Sequence, residues 1–330
     1  MAPEIPRSWT LCASSFNWTP DIIAAHRTAQ DIVTDIADSV AKTVELEPGL
    51  VWRSFPAPHD DEVDGLRASL AAKGGSISIV GASLDDFSSR TERRTLQERL
   101  DFLAPQLRAA HRAGASGIRL PIGQAGTELL SLVQPLLREL DLVLYEEIQG
   151  QQAPGSPAVE PALETIAALG DDHVRVLVDI SMLMPALPVT YLEELRHGGM
   201  PQDFMRCLEN DWRDPSTIDA VTALLRSGKV PPRIHTLFMN LLIRFGRSDA
   251  ADLQGILPLV GAFHLKFWDL HDDGGRVSQP LRDLGALLGR HGFSGTLTSE
   301  WGGHEWLQED PTDMTRKHLA LAEAALVSVS

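Results

Sequence analysis

Short apolar or β-branched runs alternate with longer stretches of helical periodicity from one end of the chain to the other. This alternation restricts the fold more than any other feature. The strand candidates are 9–14, 43–46, 76–81, 117–121, 142–147, 174–180, 262–268 and 295–300. Strict alternation calls for parallel strands, because each helix carries the chain back to the edge where the next strand starts. Eight such units predict closure into a (β/α)8 TIM barrel. An open doubly wound sheet is the competing arrangement, but no GxGxxG turn follows the first strand to support it.

The punctuation between strands fits helices. Thr19-Pro20 supplies a cap and a first-turn proline for a helix running on towards Lys42. The segment ending Lys73-Gly74-Gly75 stops on glycines, and Pro105 predicts a kink or break in the helix that follows the third strand. The rhythm breaks once. Between the sixth and seventh strands, residues 181–261 hold three or four helical segments where one is expected. A single barrel domain over 1–330 with a helical insertion at 181–261 follows. The insertion is read either as extra helices packed outside the barrel or as a lid or subunit interface, since βα connections lie on the catalytic face. The Gly/Pro-rich stretch 150–161 reads as a loop at the barrel mouth.

Charge narrows the partners. With 29 basic and 45 acidic residues the net charge is −16, which argues against nucleic acid and against anionic membrane surfaces. No apolar run reaches the roughly 18–20 residues of a membrane span. The opening MAPEIPRSWTLCASS lacks the pattern of a secretory signal. Cys12 and Cys207 are far apart and outside any CxxC spacing, so they read as reduced thiols of a cytoplasmic protein and not as a zinc-thiolate site.

In a parallel barrel, chemistry gathers at the C-terminal ends of the strands. The last four strands end with unusual polarity: Glu146 and Glu147, then Asp179, then His264 and Lys266, then Glu300. A lone aspartate there commonly caps the next turn. Carboxylates on several consecutive strands would instead repel one another around one mouth, and a cation between them is the natural remedy. Three carboxylates and one imidazole suit Mn²⁺, Mg²⁺ or Co²⁺. Of Glu146 and Glu147 one can face the axis, and alternation does not choose between them. Lys266 shares a strand face with His264, and His304 follows Gly302-Gly303 just beyond Glu300. Trp268, Trp301 and Trp306 are candidates for stacking on a sugar or an aromatic ring. Arg244 and Arg247 could anchor a substrate oxygen. The remaining histidines fall in helical or loop patterns, with His235 the most suggestive of them.

Glu147-Ile148-Gln149, Asp179, His264-Leu265-Lys266 and Glu300, in this order, resemble the xylose-isomerase-like barrel superfamily, which includes sugar-phosphate isomerases and the tagatose/psicose 3-epimerases. The resemblance implies one metal held by Glu147, Asp179, His264 and Glu300, and it selects Glu147 over Glu146. The group's Glu-x-His and Asp-x-x-His patterns read here with Gln149 and Met182 in the histidine positions, a departure from a plain epimerase.

A closer resemblance lies further on. Arg-Phe-Gly-Arg-Ser at 244–248, His264-x-Lys266-Phe267-Trp268 and Ser299-Glu300-Trp301-x-Gly303-His304 are similar to the alpha subunits of bacterial C-glycoside deglycosidases. This implies a metal-dependent lyase, Mn²⁺ foremost, acting on a 3-keto glycoside with an aromatic aglycone beside a small beta subunit. On that reading Glu147, Glu300, His304 and Lys266 are the catalytic candidates. Gln149, Trp268, Trp301 and Arg244 are the substrate-binding ones. An isomerase or epimerase of a free keto sugar is the alternative, and a non-catalytic binding barrel the third.

Overall fold

A computed structural model describes residues 4–328. Eight parallel strands close into a barrel in sequence order: β1 (Trp9–Ser14), β2 (Thr43–Leu46), β3 (Ser76–Gly81), β4 (Gly117–Pro121), β5 (Val143–Ile148), β6 (Val174–Asp179), β7 (Val260–Phe267) and β8 (Gly295–Trp301). The register of β1 on β8, from Trp9 opposite Gly295 to Ala13 opposite Ser299, seals the ring. Outward residues of the strands join the surrounding helices in the main apolar core.

The inner face changes character along the axis. Ile79, Tyr145, Leu177 and Ala262 form a separate apolar layer inside the barrel. Two residues further on, which is the next inward position of a strand, stand Gly81, Glu147, Asp179 and His264. The period of two thus converts an apolar plug into a polar rim at the C-terminal mouth.

Two helices differ from expectation. The stretch after Thr19 is two helices, Thr19–Ala24 and Ala29–Ser39. Ala25 turns left-handed (φ 54°), and the Thr28 side chain caps the second helix by accepting from Asp31 N–H. The helix Leu96–Ala113 runs through Pro105 without a break, started by a Thr95/Glu98 capping box and stopped by Gly114 at φ 80°.

Between β6 and β7 lie Val189–His197, Gln202–Asn210, Pro215–Arg226 and the one-turn helices His235–Phe238 and Asn240–Ile243. They build a second apolar core around Tyr191, Leu208, Trp212, Phe238 and Phe245. Trp212 Nε1 donates to Gly246 O at 3.0 Å, and Tyr191 Oη donates to Leu237 O at 2.8 Å. A Cβ at Gly246 would lie 2.3 Å from Met182 Cα and from Gly150 O, so here the segment rests backbone on backbone against the mouth. That contact sets Ile243 and Arg244 beside the strand ends. Among the described residues, no helix is long and apolar enough to cross a membrane.

Candidate metal centre

Glu147, Asp179, His264 and Glu300 come from β5, β6, β7 and β8, and all four are buried. Asp179 is level with His264 in the β6–β7 register. One ligand-type atom from each lies within 4.8 Å of all the others. His264 Nδ1 is 2.7 Å from Glu300 Oε2, 3.0 Å from Glu147 Oε1 and 3.9 Å from Asp179 Oδ2. Yet His264 Nδ1 and Glu300 Oε2 have no hydrogen-bond partner. The atoms are close but not aligned on one another; they converge on a shared point. The donor set fits a hard or borderline divalent cation, with carboxylate oxygens and one imidazole nitrogen. Asp179 also fills the capping role, because its Oδ1 accepts from Ser181 N–H at 2.7 Å while Oδ2 stays with the cluster. Glu146 points the other way, its Oε2 accepting from Gly123 N–H at 3.0 Å.

A second tier of charge surrounds the quartet. His264 Nε2 lies 2.8 Å from Glu45 Oε1, and Thr298 Oγ1 donates to Glu45 Oε2 at 2.9 Å. Arg119 donates to Glu45 (2.7 Å), to Glu147 (2.9 Å) and to Glu47. Lys266 Nζ stands 3.5 Å from Glu300 Oε1 and 4.0 Å from Asp179 Oδ2. Burial pushes Asp179 up to about 6, with Lys266 opposing it. Burial also works against the charged form of Glu300, but Lys266 and His264 hold that carboxyl well below the usual range. For His264 burial is outweighed by Glu45, Glu300 and Glu147, which carry the imidazole well above its ordinary value. Glu45, Glu47 and Arg119 escaped sequence reasoning. A signal existed for two of them, since Glu45 and Arg119 are charges inside otherwise apolar strands.

Above the quartet opens a cleft of about 840 Å³. Lys266, Gln149, Trp268 and Arg244 line it with Glu147, Asp179 and Glu300; Ile243 adds an apolar wall, and Gln151, Gln152 and Pro157 come from the loop after β5. Arg244 is ion-paired with Glu305. Trp301 is 1% exposed and not among the residues lining the cleft, and its Nε1 donates to Trp268 O at 2.8 Å. His304 is off the cleft wall as well, packing edge-on at 4.7 Å against Phe16, which does line the cleft. Burial, helped by Lys266, lowers His304 to about 4. Trp306 packs on Tyr191 within the insertion, Arg247 lies over Trp212, and His235 is exposed on a one-turn helix. Met182 is fully buried.

The closed eight-stranded barrel, with four buried ligand-type side chains at the mouth of its last four strands, is a TIM barrel whose fold is that of solved sugar isomerases and epimerases. Solved structures bear out the fold: a D-psicose 3-epimerase matches with a TM-score of 0.59 at 12% identity, covering 97% of this chain and 100% of that one. The 3-keto-D-glucoside 4-epimerase of E. coli matches with a TM-score of 0.53 at 14% identity, covering 95% of this chain and 98% of its own. In sequence, the chain is similar over nearly its whole length to a C-glycoside deglycosidase alpha subunit of Arthrobacter globiformis, with 28% identity over 94% of this chain and 90% of the relative. A 3'-dehydrocarminate deglycosidase alpha subunit of a Microbacterium species is 23% identical over 95% of this chain and 93% of its own length. No family model matches the chain.

Proposed function

We propose that this chain is the catalytic alpha subunit of a divalent-metal-dependent lyase that releases an aromatic aglycone from a 3-keto C-glycoside. One observation carries the reading. Glu147, Asp179, His264 and Glu300 converge at the floor of a glycoside-sized cleft, in a chain similar throughout to C-glycoside deglycosidase alpha subunits. Those four residues would hold the cation, Mn²⁺ foremost, with Mg²⁺ or Co²⁺ as alternatives. When bound, it supplies fixed positive charge where a ketone oxygen gains negative charge as the neighbouring C–H loses its proton.

The chain's own residues do the rest. Glu300 Oε1, 3.5 Å from Lys266 Nζ, is the oxygen suited to take the proton from C2 of the sugar. The C2–H electron pair becomes the C2=C3 double bond, and the ketone π pair moves onto O3. Its return restores C3=O, makes C1=C2, and breaks the bond from C1 to the aglycone. The aryl carbon leaves with that pair and takes a proton from the Lys266 ammonium. Proton transfer from Glu300 to Lys266 then resets both groups. Glu147 has one oxygen held by Arg119 and the other turned into the quartet, so it serves as ligand more than base. His304 takes part only if Phe16 swings aside. Gln149 and Arg244 would hold sugar hydroxyls, while Trp268 and Ile243 flank the aglycone. The 181–261 segment acts as an insertion within one barrel domain and as one cleft wall.

The relatives are named as alpha subunits, which supports a small beta subunit as partner here. The test is to assay the co-expressed pair with Mn²⁺ on a 3-keto C-glycoside, following free aglycone by chromatography, and then on free ketoses. Aglycone release is expected. Epimers without aglycone would overturn the lyase and leave the epimerase alternative standing.

A further inference from the structure

We infer that Glu45, clamped by Arg119 and Thr298, is a positioning residue that fixes the His264 ring so that Nδ1 is offered to the metal. The inference rests on the metal reading above. Glu45 is on β2 and His264 on β7, and both are fully buried. An ionised carboxylate accepts hydrogen bonds and cannot donate one. Its oxygen 2.8 Å from His264 Nε2 therefore keeps a proton on Nε2, so Nδ1 is the nitrogen that gives up its proton and turns its lone pair to a cation. Nδ1 is the atom that faces Glu147, Asp179 and Glu300 without a hydrogen bond. Metal-ligating histidines are commonly held this way, and such carboxylates tune affinity through the ring.

The clamp on Glu45 is itself complete. Arg119 Nε donates to Oε1 at 2.7 Å and Thr298 Oγ1 to Oε2 at 2.9 Å, so the carboxylate has one orientation. The same guanidinium also donates to Glu147 Oε2 at 2.9 Å, which ties the positions of two ligands to one group. A buried ion pair is weak evidence for stability, because apolar residues of equal volume often serve as well. What apolar residues could not supply is the choice of imidazole tautomer.

The test is Mn²⁺ affinity, by competition with a chelator, for the wild type and for Glu45→Ala, Glu45→Gln, Thr298→Val and Glu146→Gln. The folded fraction of each is matched by near-UV circular dichroism. Glu45→Ala is expected to weaken binding about 10- to 100-fold. Glu45→Gln should recover part of the loss, since its amide oxygen still accepts from Nε2. Thr298→Val should weaken binding about three- to tenfold through the loss of one hydrogen bond to Glu45. Glu146→Gln, which alters a buried carboxyl on the outer face, should bind as the wild type does. Folded Glu45 variants that hold Mn²⁺ within about twofold of wild type would overturn the inference and leave the metal reading intact. If Glu45→Ala does not fold, unchanged affinity in both Glu45→Gln and Thr298→Val overturns it equally. A wild type that binds no divalent cation overturns both.

Discussion

Arg119 touches Glu45, Glu47 and Glu147 from a side chain only 13% exposed, so its charge offsets several buried carboxylates at once. Arg119→Met keeps the aliphatic stem and strips the charge. Removing one partner of a buried pair costs about 3–5 kcal/mol, because the other charge is left uncompensated. A chain of 330 residues, at about 2.1 cal/mol/K of unfolding entropy per residue, turns that into a fall in Tm of about 4–7 °C. The pH dependence carries a definite sign. In the wild type, Arg119 and His264 hold Glu45 and Glu147 below the ordinary 4.5 despite burial, so each contributes stability above that pH and loses it as pH falls. In the variant, burial and mutual repulsion raise both carboxyls. Each carboxyl then ionises at a higher pH than in the wild type, so the variant gains less stability than the wild type as pH rises. The gap between the two proteins must therefore be wider at about pH 7.5 than at about pH 5. Thermal unfolding of chelator-treated protein at the two pH values measures it. A gap below about 1 kcal/mol, or one equal at both, would refute the electrostatic account of this cluster.

Elemental analysis should find about one Mn, Mg or Co per wild-type chain, near background in Glu147→Ala, Asp179→Ala, His264→Ala and Glu300→Ala, and retained in Glu146→Ala; metal-free wild type would sink the site. His318 is stacked on Phe267 at 3.9 Å, and burial drags it from the ordinary 6.5 to about 3. The unfolded chain gains that proton first, so stability should fall by about 1.4 kcal/mol per pH unit on acidification below about 6.5. His318→Gln should remove that part of the slope in urea titrations at pH 7, 6 and 5, and an unchanged slope counts against the assignment. Trp301→Phe should leave KM for the glycoside within about twofold while costing about 0.5–1.5 kcal/mol, the usual worth of the hydrogen bond to Trp268 O. A tenfold rise in KM would place Trp301 on the substrate after all.

The alternation of side chains along a strand accounts for what could and could not be read from the sequence. Asp179 ends the apolar run of β6, and His264 and Glu300 lie in the C-terminal halves of β7 and β8; such groups stand out because burying them unpaired is expensive. Glu45 belongs to a four-residue strand and Arg119 is two residues from a strand-ending proline, so neither interrupts a long apolar stretch. Their partners are remote besides: Glu45 meets Arg119 across 74 positions and His264 across 219. Barrel closure, not local pattern, makes those contacts. The helices of the 181–261 segment were visible through their periodicity, whereas the wall they give the cleft depends on Gly246 meeting Met182 and Gly150 backbone to backbone. The place of Trp301 away from the cleft was already in the alternation. Lys266 pairs with Glu300 in the β7–β8 register, and Phe267 pairs with Trp301 one residue later. If Lys266 and Glu300 face the mouth, Phe267 and Trp301 must face the helices. The step that brings the base and its neighbouring ammonium together therefore turns the tryptophan away from them.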